Sequence, residues 1–247
     1  MTTEEAYDRC HALTREHYEN FPVARLVPRA IRPHVSAVYA FARTADDIAD
    51  EGWGETGAPT PSQRVAELDR YEAELLRAFA GEALQVPQWA WIFLAVRETA
   101  RVMDIPLHLF RDLLDAFKQD CVTLRYTTWS DVLDYCRRSA NPVGRLVLIL
   151  HGHRDARLFA WSDAICTALQ LANFWQDVGV DIRKDGRIYL PEEEWAECGL
   201  QREHFDEPTA PEPLRQCLKR QVERTWALFA EGRVLSCHLP FPLSAEI

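Results

Sequence analysis

The 247-residue sequence predicts an all-α protein. Apolar residues recur at spacings of three and four along most of the chain, whereas the alternating pattern of a β-strand is scarce. Proline, glycine and small polar residues gather between these stretches, as they do in connections between helices. The stretches with helical spacing are 31–49, 64–80, 90–102, 107–119, 157–182 and 214–230.

The predicted helices are separated by breaks in the sequence at 52–62, 81–87, 103–106 and 205–213. None of these breaks is long enough to be a linker between domains, and no internal repeat divides the chain. We therefore expect residues 1–247 to form a single domain. Two short segments, 122–128 and 187–191, look extended, and each lies beside a predicted helix.

Composition and charge narrow the classes of function. The chain carries 38 acidic and 28 basic residues, a formal net charge of −10, which argues against a nucleic-acid partner because phosphate backbones bind basic faces. Seven scattered cysteines without a CxxC pair are typical of free thiols in a reducing cytoplasm. The longest aliphatic run, at 146–150, is too short to span a bilayer. We expect a cytoplasmic protein with peripheral membrane contact at most.

The segment FARTADDIADE at 41–51 would place carboxylates along one face of a helix. Asp46 and Asp50 are four residues apart, and Asp47 and Asp50 are three apart. Like charges at this spacing destabilise a helix by about 0.2–0.5 kcal/mol per pair unless a positive group lies between them. Tyr39 and Arg43 fall on nearly the same face. Taken alone, the segment fits either a solvated helix face or a metal site.

A second polar strip runs along the helix predicted at 157–182. Its members lie at i, i+3, i+7 and i+11 among apolar neighbours, and they are Gln170, Asn173, Asp177 and Asp181. Gly179 costs this helix about 1 kcal/mol relative to alanine, which suggests the close approach of a ligand or a neighbouring helix. The alternative is an ordinary solvated face with a tolerated glycine.

Two helices that each carry aspartates four residues apart suit a cluster of Mg²⁺ ions bridging a diphosphate. Carboxylate oxygens are hard ligands, and phosphate oxygens and water would complete the octahedral coordination. Basic side chains near both segments could neutralise the part of the diphosphate charge that the metal ions do not neutralise. They are Arg43, Arg183, Lys184 and Arg187.

These segments resemble the paired aspartate-rich motifs of the squalene/phytoene synthase family, the all-α head-to-head prenyl synthases. The two motifs are YAFARTADDIADE at 39–51 and QLANFWQDVGVD at 170–181. Further similar stretches lie at 17–24, 32–47, 113–120 and 135–148, so the resemblance covers essentially the whole chain. It implies an isoprenoid synthase-type helical bundle around a central cavity.

The resemblance also assigns roles by position. The implied Mg²⁺ ligands are Asp46, Asp50, Asn173, Asp177 and Asp181. The implied catalytic residues are Asp46, Asp50, Asp177, Asp181, Tyr39 and Arg43. The implied substrate-binding residues are His17, Tyr18, Glu19, Asn20, Phe21, Tyr39, Arg43, Tyr135, Ser139, Gly144, Gln170, Arg183 and Arg187. Pro142 should break a helix beside three of these positions, because proline cannot continue a regular helix. Gln176 stands where many relatives have arginine, so one phosphate contact is expected to be missing.

The implied activity is the ionisation of presqualene diphosphate and the capture of the rearranged carbocation by water, which gives hydroxysqualene in hopanoid biosynthesis. The alternative within the family is the condensation of two farnesyl diphosphates. Reduction of the cation by NADPH is not expected, because the only G-x-G-x-x-G match, at 52–57, follows a predicted helix instead of a strand. A non-catalytic helical scaffold is the alternative from another class.

The end of the sequence carries one more expectation. Relatives generally continue past the position of LPFPLSAEI, at 239–247, into a long final helix over the cavity. We expect that helix to be absent here, which would expose apolar surface and favour self-association.

Overall fold

The computed structural model describes residues 1–16, 27–51 and 59–245. Its α-helices are α1 (Thr3–Glu16), α2 (Arg32–Asp50), α3 (Pro61–Ala80), α4 (Ala90–Met103), α5 (Leu107–Val122), α6 (Trp129–Ser139), α7 (Asn141–Leu150), α8 (Ala156–Asp185), α9 (Trp195–Cys198) and α10 (Glu212–Gly232). Short 3₁₀ turns lie at Glu192–Glu194, Arg202–Phe205, Arg233–His238 and Leu243–Ala245. The prediction of an all-α protein is confirmed.

The six stretches with helical spacing correspond to α2, α3, α4, α5, α8 and α10. The predicted break at Pro142 is also confirmed, because α6 ends at Ser139 and α7 begins at Asn141 with the proline in its first turn. The spacing did not single out α1, whose buried residues are the small or polar Ala6, Cys10 and Thr14. Such residues give little contrast between the two faces of a helix.

Helix α8 is the longest element, with 30 residues and a length of about 45 Å. It begins where the Asp155 side chain accepts a hydrogen bond from the backbone N–H of Arg157. It ends at Gly186, whose φ of 71° closes the helix in the left-handed conformation that glycine adopts readily. Helix α8 packs against α10, α7 and α6, so its second aspartate-rich segment has a rigid support.

Two apolar clusters support the helices that carry the acidic segments. The first lies under α2 and joins it to α3, α4 and α5, with Phe41, Tyr71 and Phe110 fully buried. The second lies under the C-terminal half of α8 and contains Tyr135 and Phe174. Burial of this much aromatic surface is the main favourable contribution to the packing of these helices.

The two segments that look extended lie side by side. Arg125 and Ile188 form an isolated parallel bridge, and Ile188 donates a backbone hydrogen bond of 3.0 Å to the Leu124 carbonyl. Glu192 donates a second one, of 2.9 Å, to the carbonyl of Tyr126. Because one segment follows α5 and the other follows α8, these bonds hold the C-terminal ends of the two helices together.

Within the described ranges, no helix combines the length and the apolar character that crossing a bilayer requires.

Candidate active site

The acidic segment of α2 carries its own counter-charge. The Arg43 guanidinium lies 3.3 Å from Oδ2 of Asp46 and 2.5 Å from Oδ1 of Asp47, through two different nitrogens. The opposite side of this helix is buried, with Phe41 and Ile48 fully enclosed. The repulsion expected among the aspartates is therefore relieved by an arginine one turn earlier.

Asp46 is held in an environment that disfavours its negative charge. Burial and, next, the charge of Asp50 raise the pKa of this carboxyl to about 6, while Arg43 acts in the opposite direction. A bound cation would reverse this effect, because it would stabilise the carboxylate form. Asp47 is committed to Arg43, which makes it a poorer candidate for a metal ligand than Asp46.

The polar strip of α8 lies on one side of the helix as predicted. Asn173 and Asp177 are exposed, whereas Gln170 and Asp181 are half-buried. Burial raises the pKa of the Asp181 carboxyl, and the charge of Asp177 adds to the effect. The exposed Asp177 and the half-buried Asp181 therefore create a high density of negative charge at this end of α8.

Gly179 has a different neighbour from the one its sequence suggested. A Cβ at this position would lie 3.4 Å from Nη1 of Arg183, on the same helix, which is an ordinary contact. The three nearest atoms among the described residues all belong to Arg183, so no other helix lies nearer than this side chain. The approach of a ligand stays a prediction.

One ion pair links the two acidic helices at their C-terminal ends. Nζ of Lys184 lies 3.3 Å from Oδ2 of Asp50. Beside this pair opens a cleft of about 380 Å³. Its polar lining includes both ends of the pair together with Arg64, Asp120, Asp185 and Arg187. The cleft therefore presents both carboxylates and cations, as a site for a metal ion with a phosphate group would require.

Asp120, near the end of α5, was not among the residues assigned from the sequence. Oδ2 of this residue accepts a 2.8 Å hydrogen bond from the Tyr135 hydroxyl. The buried Oδ1 has no hydrogen-bond partner among the described residues, and Nη1 of Arg187 lies 4.0 Å from it. Burial raises the pKa of Asp120 to about 6 even though Arg187 and Tyr135 lower it. The charges of Asp50 and Asp46 also raise it, so Asp120 belongs to the same acidic region.

Arg187 holds several parts of this region in place. Its guanidinium donates a 2.6 Å hydrogen bond to the Asp120 carbonyl and a 3.3 Å hydrogen bond to the carbonyl of Thr123. A third, also of 3.3 Å, reaches the Tyr189 hydroxyl. The side chain is only 15% exposed, so this residue connects the end of α5 to the segment after α8.

The residues predicted around the helix break have three different surroundings. Tyr135 is buried against Phe174, with ring centroids 5.8 Å apart. The Ser139 hydroxyl is buried and has no hydrogen-bond partner within the described part of the chain. A Cβ at Gly144 would clash with Oγ of Ser162, so the glycine allows α7 to pack closely on α8. The last finding gives Gly144 a structural role beside the predicted one.

The remaining predicted residues divide into two groups. Tyr39 is half-buried one turn before Arg43, and burial raises the pKa of its phenol. Arg183 is exposed on α8. The segment from His17 to Phe21, with Tyr18, Glu19 and Asn20, lies outside the described residues.

Comparison with known proteins places the chain in a family. The sequence pattern of the squalene/phytoene synthases matches residues 14–247. The chain belongs to the squalene/phytoene synthase family. It is 39% identical over 233 residues to the hydroxysqualene synthase of Rhodopseudomonas palustris, a match that covers 93% of this chain and 71% of the relative. The hydroxysqualene synthase of Zymomonas mobilis is 36% identical over 85% of this chain and 67% of its own length.

A solved structure agrees with this membership. The crystal structure of the squalene synthase HpnC from Alicyclobacillus acidocaldarius superimposes with a TM-score of 0.87 at 41% identity, over 99% of this chain and 88% of the other. Squalene/phytoene synthases act on prenyl diphosphates and normally use a divalent metal ion. The helical bundle described above is therefore that of an isoprenoid synthase.

The described residues could supply some, but not all, of the ligands of such a metal ion. Asp46 and Asp50 offer hard oxygen ligands on one helix face, and burial raises the pKa of Asp46, an effect that a bound cation would oppose. Within the ranges 1–16, 27–51 and 59–245, no three carboxylate, histidine or cysteine side chains converge to enclose a metal ion by themselves. Phosphate oxygens and water would have to supply the missing ligands.

Proposed function

We propose that the protein is a Mg²⁺-dependent hydroxysqualene synthase. In this reaction presqualene diphosphate loses its diphosphate, the carbocation rearranges, and water adds to give hydroxysqualene. The observation that carries the proposal is the similarity to hydroxysqualene synthases at 35–39% identity over most of the chain. The acidic faces of α2 and α8, joined by the Asp50–Lys184 pair, support it.

The aspartates are proposed to hold the metal ions. Asp46 and Asp50 would contribute from α2, and Asn173, Asp177 and Asp181 from α8. Bound Mg²⁺ would neutralise negative charge as the diphosphate leaves. The protein's part is to fix these oxygens on two rigid helices with buried apolar sides.

Basic side chains are proposed to bind the negatively charged diphosphate, which carboxylates cannot bind directly. Lys184 and Arg187 line the cleft beside Asp50, and Arg43 lies one turn from Asp46. On departure of the diphosphate, these cations would favour the separated anion over its return to the carbocation. Tyr39, Gln170 and Arg183 are proposed to contact the substrate from the same two helices.

The carbocation needs surroundings that exclude most water and stabilise positive charge. Aromatic faces do this through their π-electrons. Tyr135, Phe174 and Tyr189 pack together under α8, and the rings of Phe174 and Tyr189 stack with centroids 3.5 Å apart. The Tyr135 hydroxyl of this aromatic cluster donates a hydrogen bond to Asp120, so Tyr135 connects the cluster to the acidic region.

The test is a reaction of the purified protein with presqualene diphosphate and Mg²⁺, without nicotinamide. Formation of hydroxysqualene and diphosphate is the expected result, and addition of EDTA should stop it. A parallel reaction supplies farnesyl diphosphate alone. Condensation of that substrate, with presqualene diphosphate left untouched, would show that the sister reaction is the correct assignment.

A further inference from the structure

The acidic region contains a carboxylate that the two aspartate-rich motifs do not include. Asp120 lies at the end of α5, and its side chain is 18% exposed. One oxygen, Oδ2, accepts a hydrogen bond from Tyr135, and the other, Oδ1, is buried without a hydrogen-bond partner among the described residues. A buried oxygen with an unused lone pair carries a free-energy cost, which calls for an explanation in chemistry or in packing.

The proposed reaction creates a need for such a group. When water adds to a carbocation, a lone pair of the water forms the new C–O bond, and the oxygen then carries the positive charge. A proton must leave that oxygen to give the neutral alcohol. Some group near the cation therefore has to accept one proton in each turnover.

The hydrogen bond between Tyr135 and Asp120 determines which way a proton can move. The phenolic hydrogen is already donated to Oδ2 of Asp120 over 2.8 Å, so the phenol oxygen can offer only its lone pairs to a third group. A proton that arrives on this oxygen can be matched by transfer of the phenolic proton to the carboxylate. Tyr135 is then neutral before and after the step, and Asp120 ends protonated.

We infer that Asp120 is the proton acceptor for the water-capture step and acts through the Tyr135 hydroxyl. The inference rests on the proposed function. The overall balance is carbocation plus water plus Asp120 carboxylate giving hydroxysqualene plus Asp120 carboxylic acid. Asp120 also lines the cleft beside Asp50, which gives the acquired proton a route to solvent.

Other nearby groups suit this step less well. Asp46, Asp50, Asp177 and Asp181 would have their lone pairs engaged by metal ions. Arg187 has no acceptor atom, and it donates to the hydroxyl of Tyr189. Burial raises the pKa of Asp120 to about 6, so its carboxyl can take up a proton more readily than an exposed aspartate.

The decisive variant is Asp120→Asn, which preserves shape and can still accept a hydrogen bond from Tyr135 but cannot take up a proton. Release of diphosphate and formation of hydroxysqualene are measured separately from presqualene diphosphate. We expect diphosphate release to persist while the share of hydroxysqualene among the C30 products falls by about 100-fold, at the lower end of general-base effects. Elimination products, formed by loss of a C–H proton from the carbocation to the departed diphosphate, should replace it. Tyr135→Phe should shift the products in the same direction.

The matched control is Asp115→Asn, an exposed position on the same helix, which should keep the wild-type product ratio. An unchanged hydroxysqualene share in the Asp120 variant would overturn the inference, and so would a proportional loss of diphosphate release and alcohol. Wild-type protein that forms no hydroxysqualene would instead refute the proposed function. If Asp120→Asn does not fold, the wild-type product ratio in D₂O decides, since an unchanged ratio contradicts a proton transfer at the branch point.

Discussion

Lys184 and Asp50 form an ion pair across the two helices that carry the aspartate-rich motifs, with 3.3 Å between Nζ and Oδ2. Both side chains are more than half exposed, at 61% and 56%. The pair therefore adds little to stability, but it places a cation where a metal ion would bind Asp50. Binding of a metal ion at Asp50 would require the lysine to move toward the diphosphate.

Replacing Lys184 should show separately how much the ion pair contributes to stability and whether the lysine competes with a metal ion at Asp50. Lys184→Ala should change the free energy of unfolding by less than about 1 kcal/mol, as for other exposed pairs. The same variant should bind Mg²⁺ more tightly in the absence of substrate, because Asp50 loses a competing cation. Urea denaturation and calorimetric Mg²⁺ titration measure the two quantities. Weaker Mg²⁺ binding by the variant would contradict this account.

Asp177→Asn should lower turnover by about 100-fold or more, because an electrostatic contribution to the transition state is lost. The fold should be unaffected, since the Asp177 side chain is exposed. Steady-state diphosphate release and the thermal unfolding curve are the two measurements, with Glu223→Gln on α10 as an exposed control. A scaffold protein would keep its binding partner in Asp46→Asn and Asp177→Asn variants, whereas an enzyme should lose turnover.

Two glycines should respond in opposite ways to the same substitution. Gly144→Ala should destabilise the protein by about 1–3 kcal/mol through overpacking, because the new Cβ would clash with Oγ of Ser162 and would lie 2.6 Å from Sγ of Cys166. Gly179→Ala meets no contact shorter than 3.4 Å and should stabilise α8 by about 0.5–1 kcal/mol. Chemical denaturation of both variants provides the comparison, and equal effects would exclude the packing explanation for Gly144.

Asp120 should make stability depend on pH in the metal-free protein. Its pKa rises from 3.8 in the unfolded chain to about 6 in the fold, chiefly through burial. The folded state then binds the proton more tightly, so the contribution of this group is fully present below its unfolded pKa and is lost as the pH rises through about 6.

Asp120→Asn should therefore flatten the pH dependence. Between about pH 4 and pH 7, the unfolding free energy of the wild type should fall relative to the variant by an amount on the order of 2–3 kcal/mol. Urea denaturation in the presence of EDTA measures it, and Asp115→Asn serves as the control. Parallel curves for the wild type and Asp120→Asn would show that the carboxyl titrates normally.

The sequence predicted the long helices well because their apolar stripes are regular. In α2 and α8, the aspartates repeat with the helix period opposite buried aromatic residues, so both the elements and the candidate ligands could be read from spacing. The break between α6 and α7 was implied by the resemblance, and Pro142, in the first turn of α7, gave it a physical reason. Helix α1 lacked such contrast, since small and polar residues form its buried side.

The part that could not be predicted depends on contacts between distant segments. Asp120 is one of three aspartates in α5, and the role proposed for it emerges only from its contacts with Tyr135 and Arg187. Gly179 illustrates the reverse case, because the sequence shows that a side chain is absent without showing what fills the space. Periodicity reports which face of a helix is buried, and it does not report the neighbour.

The backbone bridge between Arg125 and Ile188 has a consequence for inactivation by heat. The segments that it joins also carry buried side chains, since Tyr126, Ile188 and Tyr189 belong to the second cluster. Opening this junction should therefore require the second cluster to loosen, so turnover and the packing of that cluster should be lost together on heating. The amide of Ile188 should exchange with solvent as slowly as those in the middle of α8.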